Sequence, residues 1–317
     1  MASTGKTARS NRFFSPARKE ALTGWAFTLP WLIGFVVFTA GPMFFSLYAA
    51  FTRYPITRPA TWIGLDNFRA LFDDPWFWRS LYNTFWMVAI RIPAVTISAL
   101  AVALLLSMDL PGGPFFRTII YMPHVLSGVA SVFLWRWILQ PNGLLNTALA
   151  WFGIRGPAWF FDPSWTKPGM VIMGLWWIGA DVLLYLAGLK GIPEQLYEAA
   201  TIDGAGGLAK TWYVTLPLLT PTIFFEIVTN VIGTFQIFTT AYILSGGTGQ
   251  EATGGPRQSL LFYVLYLYSR AFGLTGPAGF QMGYASAMAW ILFLIILIVT
   301  GFQLWFAKRW VYYEAGD

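Results

Sequence analysis

Residues 283–307, GYASAMAWILFLIILIVTGFQLWFA, carry no charge at all. A run of this length has few options. About 20 apolar residues cross the hydrocarbon core of a bilayer as a helix, and inside it every backbone N–H and C=O must be bonded within the segment. Five further stretches are long and apolar enough to do the same: residues 22–51, 83–107, 115–139, 170–189 and 221–244. Prolines interrupt several of them (Pro30, Pro42, Pro93, Pro123), and Arg91 lies inside the second. The sequence therefore predicts an all-α, polytopic membrane protein with six transmembrane helices. Composition agrees: 56% of the 317 residues are apolar and 11% charged, whereas soluble domains carry about a quarter charged residues.

Several function classes fall away. The chain has no cysteine and one histidine, His124, so disulfides, thiolate chemistry and a histidine metal cluster are excluded. No nucleophile–base pair suggests an intramembrane enzyme. Lys6, Arg9, Arg12, Arg18 and Lys19 crowd the first twenty residues against the single acid Glu20. A basic tail before an apolar run predicts a cytoplasmic N-terminus, residues 1–20. No folded basic surface follows it, so nucleic acid is not an expected partner. The run after it is too long for a signal peptide and lacks a small-residue cleavage site. Six crossings then put the loops 52–82, 140–169 and 245–282 outside. The loops 108–114 and 192–217 and the tail 311–317 fall inside, around a transmembrane domain of 21–310. In the outer loops, WIGLDNFRALFDDPWFWRS suggests a short amphipathic element, and SGGTGQEATGGP a flexible turn-rich stretch.

Residues 196–217, LYEAATIDGAGGLAKTWYVTLP, interrupt this apolar pattern with charge and glycine. Glu198, Asp203 and Lys210 would be costly in hydrocarbon, so the chain leaves the membrane here. Pro193 and Glu194 suit a helix start. Residues 196–202 favour helix, and Gly204, Gly206 and Gly207 stop it. A second short helix fits residues 208–214, and Pro217 and Pro221 mark entry to the fifth span. Ala199 and Ala200 permit close backbone approach. By these features alone, the segment is either a surface hairpin or a docking surface.

The segment resembles the EAA loop of binding-protein-dependent ATP-binding-cassette importer permeases. Glu198-Ala199-Ala200, Gly204, Val214, Leu216 and Pro217 match that long, gapped pattern at every element. WIGLDNFRALFDDPWFWRSLYNT, FFRTIIYMP, FLWRWIL, GLLNTAL and LSGG resemble the sugar-importer branch, similar to the maltose and glycerol-phosphate permeases. Thr211, where an aromatic is commoner, and Glu226 inside the fifth span depart from that pattern. The resemblance implies a type I ABC importer transmembrane domain. It implies a second homologous permease, two cytoplasmic ATPase subunits, an extracytoplasmic solute-binding protein and residence in a bacterial inner membrane. Glu198, Ala199, Ala200, Asp203 and Gly204 would form the coupling helix seated in the ATPase. No phosphate-binding G-x-x-x-x-G-K-[ST] motif occurs in the chain, so ATP and Mg would be held by the partner subunits, and this chain binds no cofactor.

Intramembrane polar residues indicate a substrate path. At 100° per residue, Thr222, Glu226, Thr229, Asn230, Gly233, Gln236 and Thr240 share one arc of the fifth span. Lipid would penalise such a stripe, so it should face the protein or a water-filled cavity. On the fourth span Trp177, Asp181 and Tyr185 recur every fourth residue, with Trp176 beside them. Aromatic faces beside hydrogen-bonding groups suit sugars, and the resemblance points to the same two spans. The competing reading is structural: Asp181 and Glu226 paired with Arg91 or Arg136, tryptophans packing, and His124 supporting a kink at Pro123. The sequence thus describes a carbohydrate importer permease driven by partner ATPases. A proton-coupled secondary transporter using Asp181 and Glu226 is the alternative.

Overall fold

A computed structural model describes residues 16–108, 111–246, 254–273 and 279–312. Lys6, Arg9 and Arg12 of the basic tail, most of the glycine-rich stretch at 247–253 and the end of the chain after Tyr312 lie outside the described residues. Helices dominate. In chain order they are α1 (Ala17–Ala50), α2 (Asp66–Phe72), α3 (Pro75–Ser107), α4 (Gly113–Val125, ending in a 3₁₀ turn), α5 (Gly128–Ile138) and α6 (Leu144–Trp151). They continue with α7 (Thr166–Leu175), α8 (Gly179–Lys190), α9 (Glu194–Ile202), α10 (Gly207–Phe235), α11 (Thr239–Leu244), α12 (Tyr263–Ala271) and α13 (Met282–Ala307). Among the described residues, strand is confined to a two-residue antiparallel pair pairing Thr52 with Trp62 and Arg53 with Thr61.

α3 is the central post. It extends about 50 Å at 1.5 Å per residue, longer than the roughly 30 Å hydrocarbon core. It contributes to all three apolar clusters: Met87 to one, Phe77 and Ile92 to the second, Ala99, Ala103 and Leu106 to the third. Asp74 caps its first turn by accepting a hydrogen bond from the Trp76 N–H at 2.9 Å, and Pro75 at the first helical position needs no partner for an N–H. α1 instead buries only Ala49 and Ala50 and exposes Trp25, Phe27, Trp31 and Phe38. Rings so exposed in one helix suit contact with lipid.

Four helices are individually long and apolar enough to cross a membrane: α1, α3, α10 and α13. The third and fourth expected spans are each broken, α4 to α5 by 102° and α7 to α8 by 47°. Both pairs lie along part of α3. Arg117 of α4 donates to the Leu106 carbonyl (3.0 Å), while Val132 of α5 belongs to the same apolar cluster as Met87. Lys167 of α7 donates to Asn83 Oδ1 (3.1 Å), while Leu186 of α8 packs with Leu106. With each bent pair counted as one span the chain has six candidate crossings, and α9 projects at the Ser107 end, opposite Asp74. The breaks interlock: a methyl on Gly179 would overlap the backbone of Ile120 and Tyr121.

The fifth span departs from expectation at both ends. No separate helix covers 208–214, because α10 runs unbroken from Gly207 through Pro217 and Pro221 to Phe235. A wide π turn at Thr211–Thr215 precedes Pro217, as one at Val36–Ala40 precedes Pro42. A proline lacks the N–H for the carbonyl four residues back and its ring crowds that carbonyl; a widened turn relieves both. At its other end α10 stops at Phe235, and α11 starts afresh at Thr239.

Candidate functional site

Three helices meet at a polar layer in this apolar protein. Glu226 and Asn230 lie one turn apart on α10, Asp181 is on the first turn of α8, and Arg91 and Thr96 are on α3. Asn230 Nδ2 donates to Glu226 Oε1 (3.1 Å) and to Asp181 Oδ1 (3.2 Å). Thr96 Oγ1 donates to Glu226 Oε2 (2.8 Å). Glu226 has no exposed surface. Tyr185, equally buried, lies beside it, yet its hydroxyl makes no well-formed hydrogen bond.

Arg91 does not neutralise these acids directly. Its Nη1 donates to Thr234 Oγ1 (2.8 Å), and Arg136 Nη1 lies 3.5 Å from the Ile243 carbonyl. Ion pairs join Asp66 to Arg69 and Asp74 to Arg270, away from this layer. The expected pairing of Asp181 and Glu226 with arginine is therefore replaced by an amide. One –NH₂ group carries two donors, enough for one oxygen of each carboxylate.

Above this layer opens a cavity of about 700 Å³. α3 lines it with Met87 and Arg91, the α4–α5 break with Ser127 and Gly128, and α7 with Met173 and Gly174. Trp177, Asp181, Thr229, Asn230, Gly233 and Thr240 also line it. Gly174 leaves room for the arginine, since a methyl there would sit 3.3 Å from Arg91 Nε. The cavity thus joins one indole face, a carboxylate, an amide, hydroxyls and a guanidinium within a partly apolar wall. Such a surface binds a molecule with both C–H faces and hydroxyl groups.

The structure brings Trp177, Asp181 and Asn230 to the cavity and places the other expected pathway residues elsewhere. Trp176 packs edge-on against Trp135 and Trp177, each with centroids 5.9 Å apart. Tyr185 belongs to the third apolar cluster with Ala99, Ala103 and Leu219. Glu226 lies behind Asn230, sealed from the cavity. Gln236 caps the end of α10, exposed and off the cavity wall, because the helix ends before its 100° rotation can bring the side chain round. Thr222, from the same predicted stripe, faces Gly188 of α8 in a close helix contact. His124 stacks on Tyr121 and meets Trp177 edge-on, both at 5.6 Å, where α4 breaks. Met87, Met173 and Ser127 were missed; no polar pattern marks them.

The second candidate region is α9. Glu198, Ala199, Asp203 and Gly204 are exposed and Ala200 is half-buried. Gly204 adopts φ +80°, and Ala205 N–H donates to the Ala200 carbonyl (2.8 Å) while Gly204 N–H donates to that of Thr201 (3.0 Å). This left-handed stop is open to glycine at no steric cost. Tyr197 Oη and Thr215 Oγ1 are bonded at 3.0 Å, and Lys210 Nζ donates to Thr201 Oγ1 (2.7 Å). These bonds tie α9 to the base of α10. Its outward side is bare: Ile202 is 87% exposed.

Four long apolar helices with two bent pairs, a polar cavity among them and a tethered helix exposed at one end suit a translocation subunit. Residues 74–312 match the family described as binding-protein-dependent transport system inner membrane component, and the chain belongs to it. It is similar to a probable ABC transporter permease protein, YesP, of Bacillus subtilis (strain 168), 39% identical over 99% of both chains. It is also 31% identical to the lactose transport system permease protein LacF of Rhizobium radiobacter, over 91% of this chain and 95% of that one. The fold matches a bacterial alginate ABC transporter, solved in complex with an alginate pentasaccharide-bound periplasmic protein (TM-score 0.77, 23% identity, 92% of this chain and 96% of that one). The chain is thus a permease subunit of an ABC importer, with a type I importer fold.

Proposed function

We propose that this permease carries a carbohydrate, an oligosaccharide or sugar derivative, through the cavity between α3, α7, α8 and α10. The observation that carries this reading is the joining of Trp177 with Asp181, Thr229 and Asn230 in one cavity of about 700 Å³. Relatives named for lactose, arabinooligosaccharides and sn-glycerol-3-phosphate support it. Glu198, Ala199, Ala200, Asp203 and Gly204 present α9 to one of two cytoplasmic ATPase subunits, which hold ATP and Mg. A second permease completes the pathway, and an extracytoplasmic solute-binding protein delivers the sugar at the Asp74 end. In this arrangement the N-terminal tail, residues 1–20, and the C-terminal tail, residues 311–317, flank a transmembrane domain on its cytoplasmic side.

Transport proceeds by alternating access. Closure of the ATPase pair moves α9, and the hydrogen bonds at Tyr197 and Lys210 pass that displacement to α10, whose other half lines the cavity. Family membership favours ATP over a proton gradient as the driving force. The test is uptake by the assembled complex in vesicles, with its binding protein, from a mixture of neutral and uronate-containing oligosaccharides. ATP-dependent accumulation of at least one saccharide is expected. Accumulation of none, or uptake driven by a proton gradient without ATP, overturns the reading.

A further inference from the structure

We infer that Glu226 is a positioning residue: it fixes the Asn230 amide so that its carbonyl oxygen, Oδ1, faces the cavity as an acceptor for a ligand hydroxyl. This rests on the carbohydrate reading above and assigns one contact within it.

The argument starts from the two ends of an amide. Asn230 lines the cavity, and its Nδ2 is 3.1 Å from Glu226 Oε1 and 3.2 Å from Asp181 Oδ1. Turning the amide over would set its oxygen against two carboxylate oxygens, neither able to donate when ionised. With both carboxylates ionised the flip is closed off, and both Nδ2 protons are committed. What remains for the cavity is Oδ1, which can only accept. A saccharide hydroxyl supplies the matching donor. An amide left free could instead offer its –NH₂ and select differently.

Of the two acids, Glu226 is the one that sets this orientation without meeting the ligand. It is wholly buried and does not line the cavity. Thr96 from α3 holds its other oxygen at 2.8 Å, so the carboxylate is fixed between two helices before any ligand arrives. Asp181, by contrast, also lines the cavity and remains available to the ligand. The charged residue in the fifth span is thereby given a task that an apolar residue could not perform.

The experiment measures uptake kinetics of the wild-type-selected saccharide from the oligosaccharide mixture, using the assembled complex with its binding protein. Asn230→Ala should raise KM about tenfold with kcat little changed, the loss of one hydrogen bond. Glu226→Leu should raise KM by a similar factor, because Asn230 is then held only by Asp181, which also faces the ligand. Glu226→Gln keeps an acceptor for Asn230 and should recover most of the affinity. The decisive comparison is the double variant: Glu226→Leu should add nothing once Asn230 is alanine. Additive losses, an unchanged KM in Glu226→Leu, or Glu226→Gln as damaging as leucine would overturn the proposal while leaving the importer reading intact. If the leucine variant does not assemble, Glu226→Met, of similar length and without an acceptor, takes its place. Failure of the wild type to accumulate any saccharide removes the carbohydrate reading and this proposal together.

Discussion

Asp74 sits where α3, α12 and α13 meet. Its carboxylate accepts hydrogen bonds from Tyr266 Oη, Tyr284 Oη (2.6 Å) and Arg270 Nη2 (2.8 Å), besides the Trp76 N–H. Burial works to raise its pKa, but the bonds from Tyr266, Tyr284, Trp76 and Arg270 outweigh it and hold the group below its ordinary 3.8. A carboxylate that binds its proton less readily when folded stabilises the fold above the unfolded value and loses that contribution as pH falls through the folded one. The thermal midpoint of the purified protein should therefore fall on acidification below about pH 4, more steeply than in Asp74→Asn. At neutral pH that variant leaves Arg270 largely buried without its counter-charge, a cost of about 3 kcal/mol. Equal melting curves for the two proteins across pH 3–7 would contradict this. At Glu198 the residue-scale expectation concerns docking, not folding. The side chain is exposed and lies in a helix with no buried residue, so Glu198→Arg should leave the permease folded. Uptake and ATPase co-purification should both drop about tenfold, roughly 1.4 kcal/mol of lost complementarity. Undiminished co-purification would separate α9 from the ATPase. Glu198 was legible because a gapped motif fixes its spacing. The Asp74 cluster was not, since its partners on α12 and α13 lie 192 to 210 residues further along the chain and no local pattern links them.

At the scale of elements, the sequence marked where helices lie better than how they bend. All six apolar stretches became helical, four as single long helices and two as bent pairs, because hydrocarbon leaves a backbone few alternatives. The end of α10 at Phe235 had no advance sign, since Thr, Gln and Ile on either side of the break carry no proline or glycine stop. The misplacement of Gln236 follows from that: a helical wheel holds only while the helix continues. Glu226 and Asn230, both inside α10, kept their predicted common face, whereas Thr222 turns to Gly188 of α8 and Thr240 reaches the cavity from α11. The break between α4 and α5 was partly legible in Pro123, and that between α7 and α8 was not. Its cause is tertiary, the seating of Gly179 on the backbone of Ile120 and Tyr121. The packing there leaves no space for a side chain. Gly179→Ala should lower stability by about 1–3 kcal/mol, as over-packing does elsewhere, visible as a lower thermal midpoint. By comparison, Gly233→Ala, where a methyl meets nothing within 4 Å, should hold the midpoint or raise it. Equal effects at the two glycines would mean that the two breaks are not interlocked.

For the whole molecule, the parity of crossings decides which elements share a face. α2 precedes α3 at the Asp74 end, and α9 follows α8 at the Ser107 end. Between Arg69 and Ile202 lie α3, the α4–α5 pair and the α7–α8 pair. If each pair crosses, three crossings separate the two residues and they lie on opposite faces. If the 102° bend instead turned α4–α5 back as a re-entrant loop, two crossings would remain and the residues would share a face. α6 tests the same point from the middle: it follows the bent pair and should return to the face of Arg69. The chain contains no cysteine, so single cysteines report without background. Arg69→Cys, Trp151→Cys and Ile202→Cys all fall on exposed side chains, at 77% for the arginine side chain, 81% for the tryptophan and 87% for the isoleucine. In intact cells, an impermeant maleimide should label the first two and reach the third only after the membrane is opened. Labelling of Ile202→Cys together with Arg69→Cys, and not Trp151→Cys, would make the bend a re-entrant loop. Labelling of Ile202→Cys alone would keep the six crossings and reverse the molecule. α9 would then face away from the cytoplasm, where no ATPase could reach Glu198.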